Sequence, residues 1–179
     1  MTHTDLMDLA AEEGFAAAVV IPTDQIQFDP SFRPYCAENL CGQYGVNHSC
    51  PPDCGSPEEM KAKILRHKYA LVLQSIWEID DFSDTAAIKE SKSAHNQAAI
   101  RLMKQARAGG TDGFLVGASG CALCKPCAKA SGEPCRFPDL MYSCMSAYCI
   151  FVKKLADACG LEYDCGAGQL AFFGMYVFD

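Results

Sequence analysis

The chain contains no run approaching the ~20 apolar residues that a membrane-spanning helix requires, so no membrane span is expected. Positive charge is also scarce. Lys and Arg number 15 against 22 Asp and Glu, for a formal net charge of -7. Nucleic-acid binding depends on clustered cations that neutralise phosphates, so this balance argues against a nucleic-acid partner. It fits an acidic, soluble protein and would suit docking to a basic patch on a redox partner protein. Residues 1–14 carry Asp5, Asp8, Glu12 and Glu13 and no Lys or Arg, the opposite of a secretory or transit peptide. The expectation is a cytoplasmic protein in a reducing compartment, where disulfides are disfavoured. There is no internal repeat of fixed period, no Ser–His–Asp grouping, and no C-x3-C-x2-C triplet of the kind used by radical enzymes with S-adenosylmethionine.

Against these absences stand 12 cysteines in 179 residues. In a reducing compartment, metal ligation is the commonest reason for such a number. Eight of them fall into two stretches rich in Gly and Pro: Cys36-x4-Cys41-x8-Cys50-x3-Cys54 and Cys121-x2-Cys124-x2-Cys127-x7-Cys135. Four thiolates are what a tetrahedral zinc or an iron–sulfur cluster needs. The second stretch has the C-x2-C-x2-C spacing of ferredoxin loops, in which three successive thiolates wrap one cubane. A mononuclear zinc site instead pairs one C-x2-C knuckle with a distant second pair. Cys135 is the nearest fourth ligand, and Lys125, Lys129 and Arg136 are placed to offset thiolate charge. In the first stretch, Tyr44-Gly45 forms a turn and Pro51-Pro52 stiffens the chain behind Cys50. His48 reads as an exposed loop histidine rather than a substitute ligand.

The spacing therefore predicts up to two 4Fe–4S clusters, one on Cys36, Cys41, Cys50 and Cys54 and the other on Cys121, Cys124, Cys127 and Cys135. Their expected work is one-electron transfer. Two alternatives stand beside this. One is zinc in a structural or interaction module; the other is an enzyme whose three-cysteine cluster leaves one iron open to substrate.

A length of 179 residues predicts one domain spanning 1–179, with cysteine loops at 36–54 and 121–135. Thr4 is expected to cap a first helix that Gly14 ends, followed by strands at Ala17–Ile21 and Gln25–Phe28. Ser56-Pro57-Glu58-Glu59 carries a capping box for a helix to about His67. Tyr69–Leu73 reads as a buried strand, and Ser83 as the cap of a long helix through Arg107. Phe114–Ala118 reads as a strand, residues 143–159 as a helix stopped by Gly160, and Ala171–Phe178 as a closing strand. The fold class is α/β or α+β, a mixed central sheet covered by helices.

In that reading Met145, Tyr148, Cys149, Val152, Leu155 and Cys159 share one helical stripe. Cys149 and Cys159, with Cys144 beside them, are then buried core thiols. Cys165, in a loop within reach of a cluster as a replacement fourth ligand, reads rather as a core or plain loop thiol, and His95 as a core histidine of the long helix.

One resemblance covers most of the chain from Cys36 onward. Cys41-x2-Tyr44-Gly45-x4-Cys50-Pro51-Pro52, Gly120-Cys121-x-Leu123-Cys124-x2-Cys127-Ala128 and Gly132-x-Pro134-Cys135-Arg136-x-Pro138 resemble a family of cysteine-rich predicted metal-binding proteins of unknown function (domain of unknown function 2284), found mainly in anaerobic microbes. The resemblance implies metal binding of iron–sulfur type, without an established reaction. The chain departs from the family pattern in the wider Cys36–Cys41 gap and in Ser146 and Cys149, where an acidic residue and a glycine are usual.

Overall fold

The computed structural model describes residues 1–179. Five strands, β1 (Ala17–Pro22), β2 (Tyr69–Glu78), β3 (Gly113–Gly117), β4 (Ser143–Cys144) and β5 (Gln169–Phe178), form one mixed sheet in the order β1-β2-β5-β3-β4. Neighbours are antiparallel except β3 and β4, which run parallel. The five helices are α1 (His3–Glu12), α2 (Arg33–Ala37), α3 (Pro57–Leu65), α4 (Thr85–Ala108) and α5 (Val152–Cys159). The architecture is α+β, a mixed sheet covered by helices.

The alternation of β2 and β5 explains why both faces are covered. Side chains along a strand point to opposite sides in turn, and here both sets are apolar. Leu71, Leu73, Tyr176 and Phe178 pack beneath α1 and α4 with Leu6, Leu9, Leu102 and Met103. Ala70, Val72, Met175 and Val177 face Met60 and Ile64 of α3 and Leu155 and Ala156 of α5. Leu71, Leu102 and Leu155 are fully buried, each contributing about 1.5–3 kcal/mol of transfer free energy.

The expected capping box on α3 is present. Ser56 Oγ accepts from the Glu59 N–H at 3.2 Å, and Glu59 Oε2 accepts from the Ser56 N–H at 2.8 Å. Other expectations are corrected. α1 is capped by Thr2, not Thr4, because Asp5 closes a reciprocal box with it. α4 is capped by Asp84, not Ser83, whose carboxylate takes the N–H groups of Ala86 and Ala87 at 3.0 Å. Gln25–Phe28 is not a strand. Thr23–Gln25 form a 3-10 turn, and Phe28 makes only an isolated bridge to Ile150.

The largest correction is at residues 143–159, of which only Val152–Cys159 is helical. Ser143 and Cys144 instead pair with Val116 and Gly117 of β3. Cys149 then takes a φ of 56°, a left-handed conformation that no α-helix can hold.

His95 is a core histidine, only 1 % exposed. Its Nδ1 lies 2.7 Å from Ser75 Oγ, while Nε2 has no partner. Burial pushes its pKa down to about 4. Gly174 is required opposite it, since a Cβ there would stand 2.7 Å from Nε2.

The topology brings the two cysteine stretches together. Leaving edge strand β1, residues 23–32 carry the chain to the β4 side, where the Asp29 N–H donates to Cys149 O at 2.8 Å and the Phe151 N–H to Gln27 O at 2.9 Å. The first stretch is thereby delivered beside the second, which follows directly from β3.

Candidate metal centre

Each stretch is positioned differently. Cys36 lies on α2, and Cys41, Cys50 and Cys54 sit in the turns behind it. Arg33, at the start of α2, ties this region down by donating to Gly55 O and Ala147 O, both at 2.7 Å. The second stretch leans on the first through side chains between Cys41 and Cys54. Buried Asn47 donates to Cys121 O at 2.9 Å, and Ser49 Oγ accepts the Cys121 N–H at 3.1 Å. Asn47 Oδ1 in turn accepts from both the N–H and the hydroxyl of Ser49. Lys129 pairs with Asp53 at 2.6 Å, and His48 Nε2 stands 2.8 Å from Glu133 O. His48 is thus a clip between loops. A Cβ on Gly120 would stand 3.2 Å from Cys50 Sγ, so the second stretch passes directly over a thiol of the first.

Between the stretches lies one cavity of about 840 Å³. Cys36, Cys41 and Cys50 line it from the first stretch, Cys121, Cys124 and Cys127 from the second, and Cys144 from the end of β4. Cys144 packs against the core as the sequence reading expects, and in addition it is half-buried and faces this cavity. A two-residue strand returning beside β3 leaves no periodic signal by which it could have been found. Cys54 and Cys135 lie off the cavity wall. Lys89, Lys92 and Lys125 contribute to the wall and no Asp or Glu does, although acids outnumber bases in the chain as a whole.

The remaining cysteines stand apart. Cys149 is buried and Cys159 packs against the core, its thiol pushed up to about 11 by burial. Cys165 is a loop thiol whose Sγ points to Glu162 O at 3.8 Å.

Burial dominates the first group. It pushes the Cys50 thiol up to about 12 and Cys54 up to about 11, and it raises Cys36 and Cys144. Nearby thiolate charge adds to this, Cys144 bearing on Cys36, Cys50 and Cys54. The Arg33 guanidinium opposes it at Cys54 and Cys36.

In the second group burial likewise raises Cys121. At Cys127 the balance reverses. Burial there is outweighed by the backbone N–H groups of His48 and Lys129, the Cys124 thiol and the charge of Arg136, and the thiol ends below its ordinary value. Of the three cations expected to offset thiolate charge, Lys129 is paired with Asp53 and Arg136 with Glu133. Lys125, on the cavity wall, has no carboxylate partner.

The donor set fits a sulfur-bound metal centre, since seven thiols face one space. Arg33 Nε adds to the fit: it is buried without a partner, beside thiols whose charge it favours. No three Cys, His, Asp or Glu side chains converge closely enough to hold a single ion. The thiols are arranged around a volume rather than about a point.

Fold and site together define a cysteine-rich protein with thiols gathered about one cavity on a helix-covered mixed sheet. The chain belongs to the family described as predicted metal-binding protein (DUF2284), whose profile matches residues 19–178. That span holds every cysteine on the cavity wall. Searches of curated proteins and of solved structures return no match.

Proposed function

We propose that the protein binds iron–sulfur clusters, up to two of the 4Fe–4S type, and works as a one-electron carrier for a redox partner protein. The observation that carries this reading is the cavity walled by thiols of both stretches. A tetrahedral zinc, with Zn–S bonds of about 2.3 Å, needs its four sulfurs roughly 3.8 Å apart. A four-iron cube holds its thiolates at the corners of a larger body, which suits sulfurs spread around a volume. The spacing of Cys121, Cys124 and Cys127 supports the same choice.

When bound, such a cluster supplies one-electron transfer, or a Lewis-acid iron where one thiolate ligand is missing. The chain's own groups have separate tasks. Backbone N–H groups of His48 and Lys129 favour the Cys127 thiolate, and those of Leu123 and Tyr142 favour that of Cys121. Such contacts tune a cluster's potential. Arg33 and Lys125 set positive charge beside thiolates that would otherwise repel one another. Tyr35 (66 % exposed), Leu40 (89 %) and Val46 (43 %) also line the cavity, forming an apolar collar suited to the close approach of a partner.

The test is anaerobic purification followed by iron and acid-labile sulfide assay, with EPR spectra recorded after dithionite reduction. Iron and sulfide in equal amounts with a reducible signal are expected. A colourless protein loaded with zinc, unfolding when chelated, would overturn the reading in favour of a structural zinc module.

A further inference from the structure

The first stretch supplies four cysteines, but only three of them reach the cavity. Cys54 does not. Its Sγ points instead to Gly55 O at 3.8 Å. Cys144 does reach the cavity, from outside either motif.

Cys144 is also the one cavity thiol that lies on a strand of the sheet. It ends β4 in register with Gly117 of β3, and the Met145 N–H donates to Gly117 O at 3.0 Å. The turn behind it is closed by the Tyr148 N–H on Cys144 O at 3.2 Å and the Ile150 N–H on Met145 O at 3.1 Å. Arg33 clamps the same turn through Ala147 O. Arg33 stands three residues before Cys36 on α2 and reaches this turn, so Cys144 sits with the first group.

We propose that Cys144, and not Cys54, completes the ligand set of the centre held by the first stretch, together with Cys36, Cys41 and Cys50. The bound group is a thiolate-ligated metal cluster, so this assignment rests on the iron–sulfur reading above. On binding, the Cys144 thiol releases its proton to solvent and its sulfur takes a metal position; no electron changes hands. Three of the four ligands come from a one-turn helix and surface turns. The fourth comes from the sheet, fixing the centre to the rigid part of the fold. The unpartnered Arg33 Nε is a donor that the anionic centre would satisfy.

The test compares Cys144→Ser, Cys54→Ser and Cys50→Ser in the full chain, each purified anaerobically and read by iron and sulfide per chain and by EPR. Cys144→Ser and Cys50→Ser are expected to lose the first centre, roughly half the iron if a four-iron centre also loads on the second stretch. Cys54→Ser is expected to keep it with an unchanged spectrum. Full iron in Cys144→Ser, or loss of the centre in Cys54→Ser, would overturn the assignment.

If circular dichroism shows that Cys144→Ser does not fold, Cys54→Ser decides alone. Retention there, with Cys144 of the loaded protein protected from alkylation, supports the proposal; loss of the centre, or a Cys144 that is alkylated at full iron content, refutes it. If the wild type carries zinc, the iron–sulfur reading falls while zinc content in the same variants still decides the ligand. A wild type that binds no metal refutes both.

Discussion

The helix-covered sheet and the cysteine-lined end of the molecule are held together by different physics. The sheet satisfies itself: β2 and β5 pair over ten residues, and apolar clusters fill both faces. The cysteine end has short helices and turns, thiols around an open cavity, and a handful of polar links centred on Asn47, Ser49 and Arg33. The first part folds by burying apolar surface. The second is brought into position by that fold and held there by those polar links.

The contrast is sharpest if metal is removed. Chelation of the natively loaded protein should lower the opening free energy of residues 33–55 and 118–136 by about 4 kcal/mol or more, read as lost hydrogen-exchange protection. The amides of β2 and β5 should keep theirs. Equal loss in both regions would erase the distinction.

The next effect acts on the sheet side. His95 has its pKa pushed from 6.5 down to about 4 in the folded protein. A base with a depressed folded pKa contributes stability that is present above pH 6.5 and lost as pH falls towards 4. Some 3 kcal/mol should disappear across that window, measured by denaturant unfolding at pH 7 and pH 4, and His95→Gln should flatten the dependence.

A smaller effect is expected at the seam. Asn47→Ala strands the buried Ser49 N–H and hydroxyl and frees Cys121 O, at a cost of about 2 kcal/mol. It should shorten metal retention at the second stretch although Asn47 belongs to the first. Unchanged retention there would mean that the two stretches act independently. Smallest is Lys129→Ala, which removes a partly exposed ion pair with Asp53 and should cost at most ~1 kcal/mol.

Local signals in the sequence found what local physics decides. Ser56 and Glu59 announced α3, and the Tyr69–Leu73 run announced β2. Where two capping residues lie close together, as at Thr2 and Thr4 or Ser83 and Asp84, only the three-dimensional helix start separates them. The region before α5 misled for a deeper reason. Met145, Tyr148, Cys149, Val152 and Leu155 repeat at helical spacing, yet Met145, Tyr148 and Cys149 are buried by a turn. Periodicity registers burial, not the backbone path that achieves it. The same error hid Cys144, whose place on the cavity wall depends on a parallel pairing with β3. Six of the eight cysteines selected by spacing do face the cavity, because short spacings largely dictate where loop thiols gather. Cys54 and Cys135 do not, and for Cys54 the reason is a thiol turned to Gly55 O, which no spacing encodes.

The position of β5 has a consequence for how the protein comes into being. The fifth strand in chain order lies in the middle, so β1 and β2, with the cysteine stretch between them, have no sheet contact with β3 and β4 until it is in place. The sheet cannot close until β5 has left the ribosome tunnel. Any cofactor that needs thiols from both sides of that gap must arrive after β5 has emerged, and a ribosome stalled before Gln169 would leave two half-sites with nothing to share.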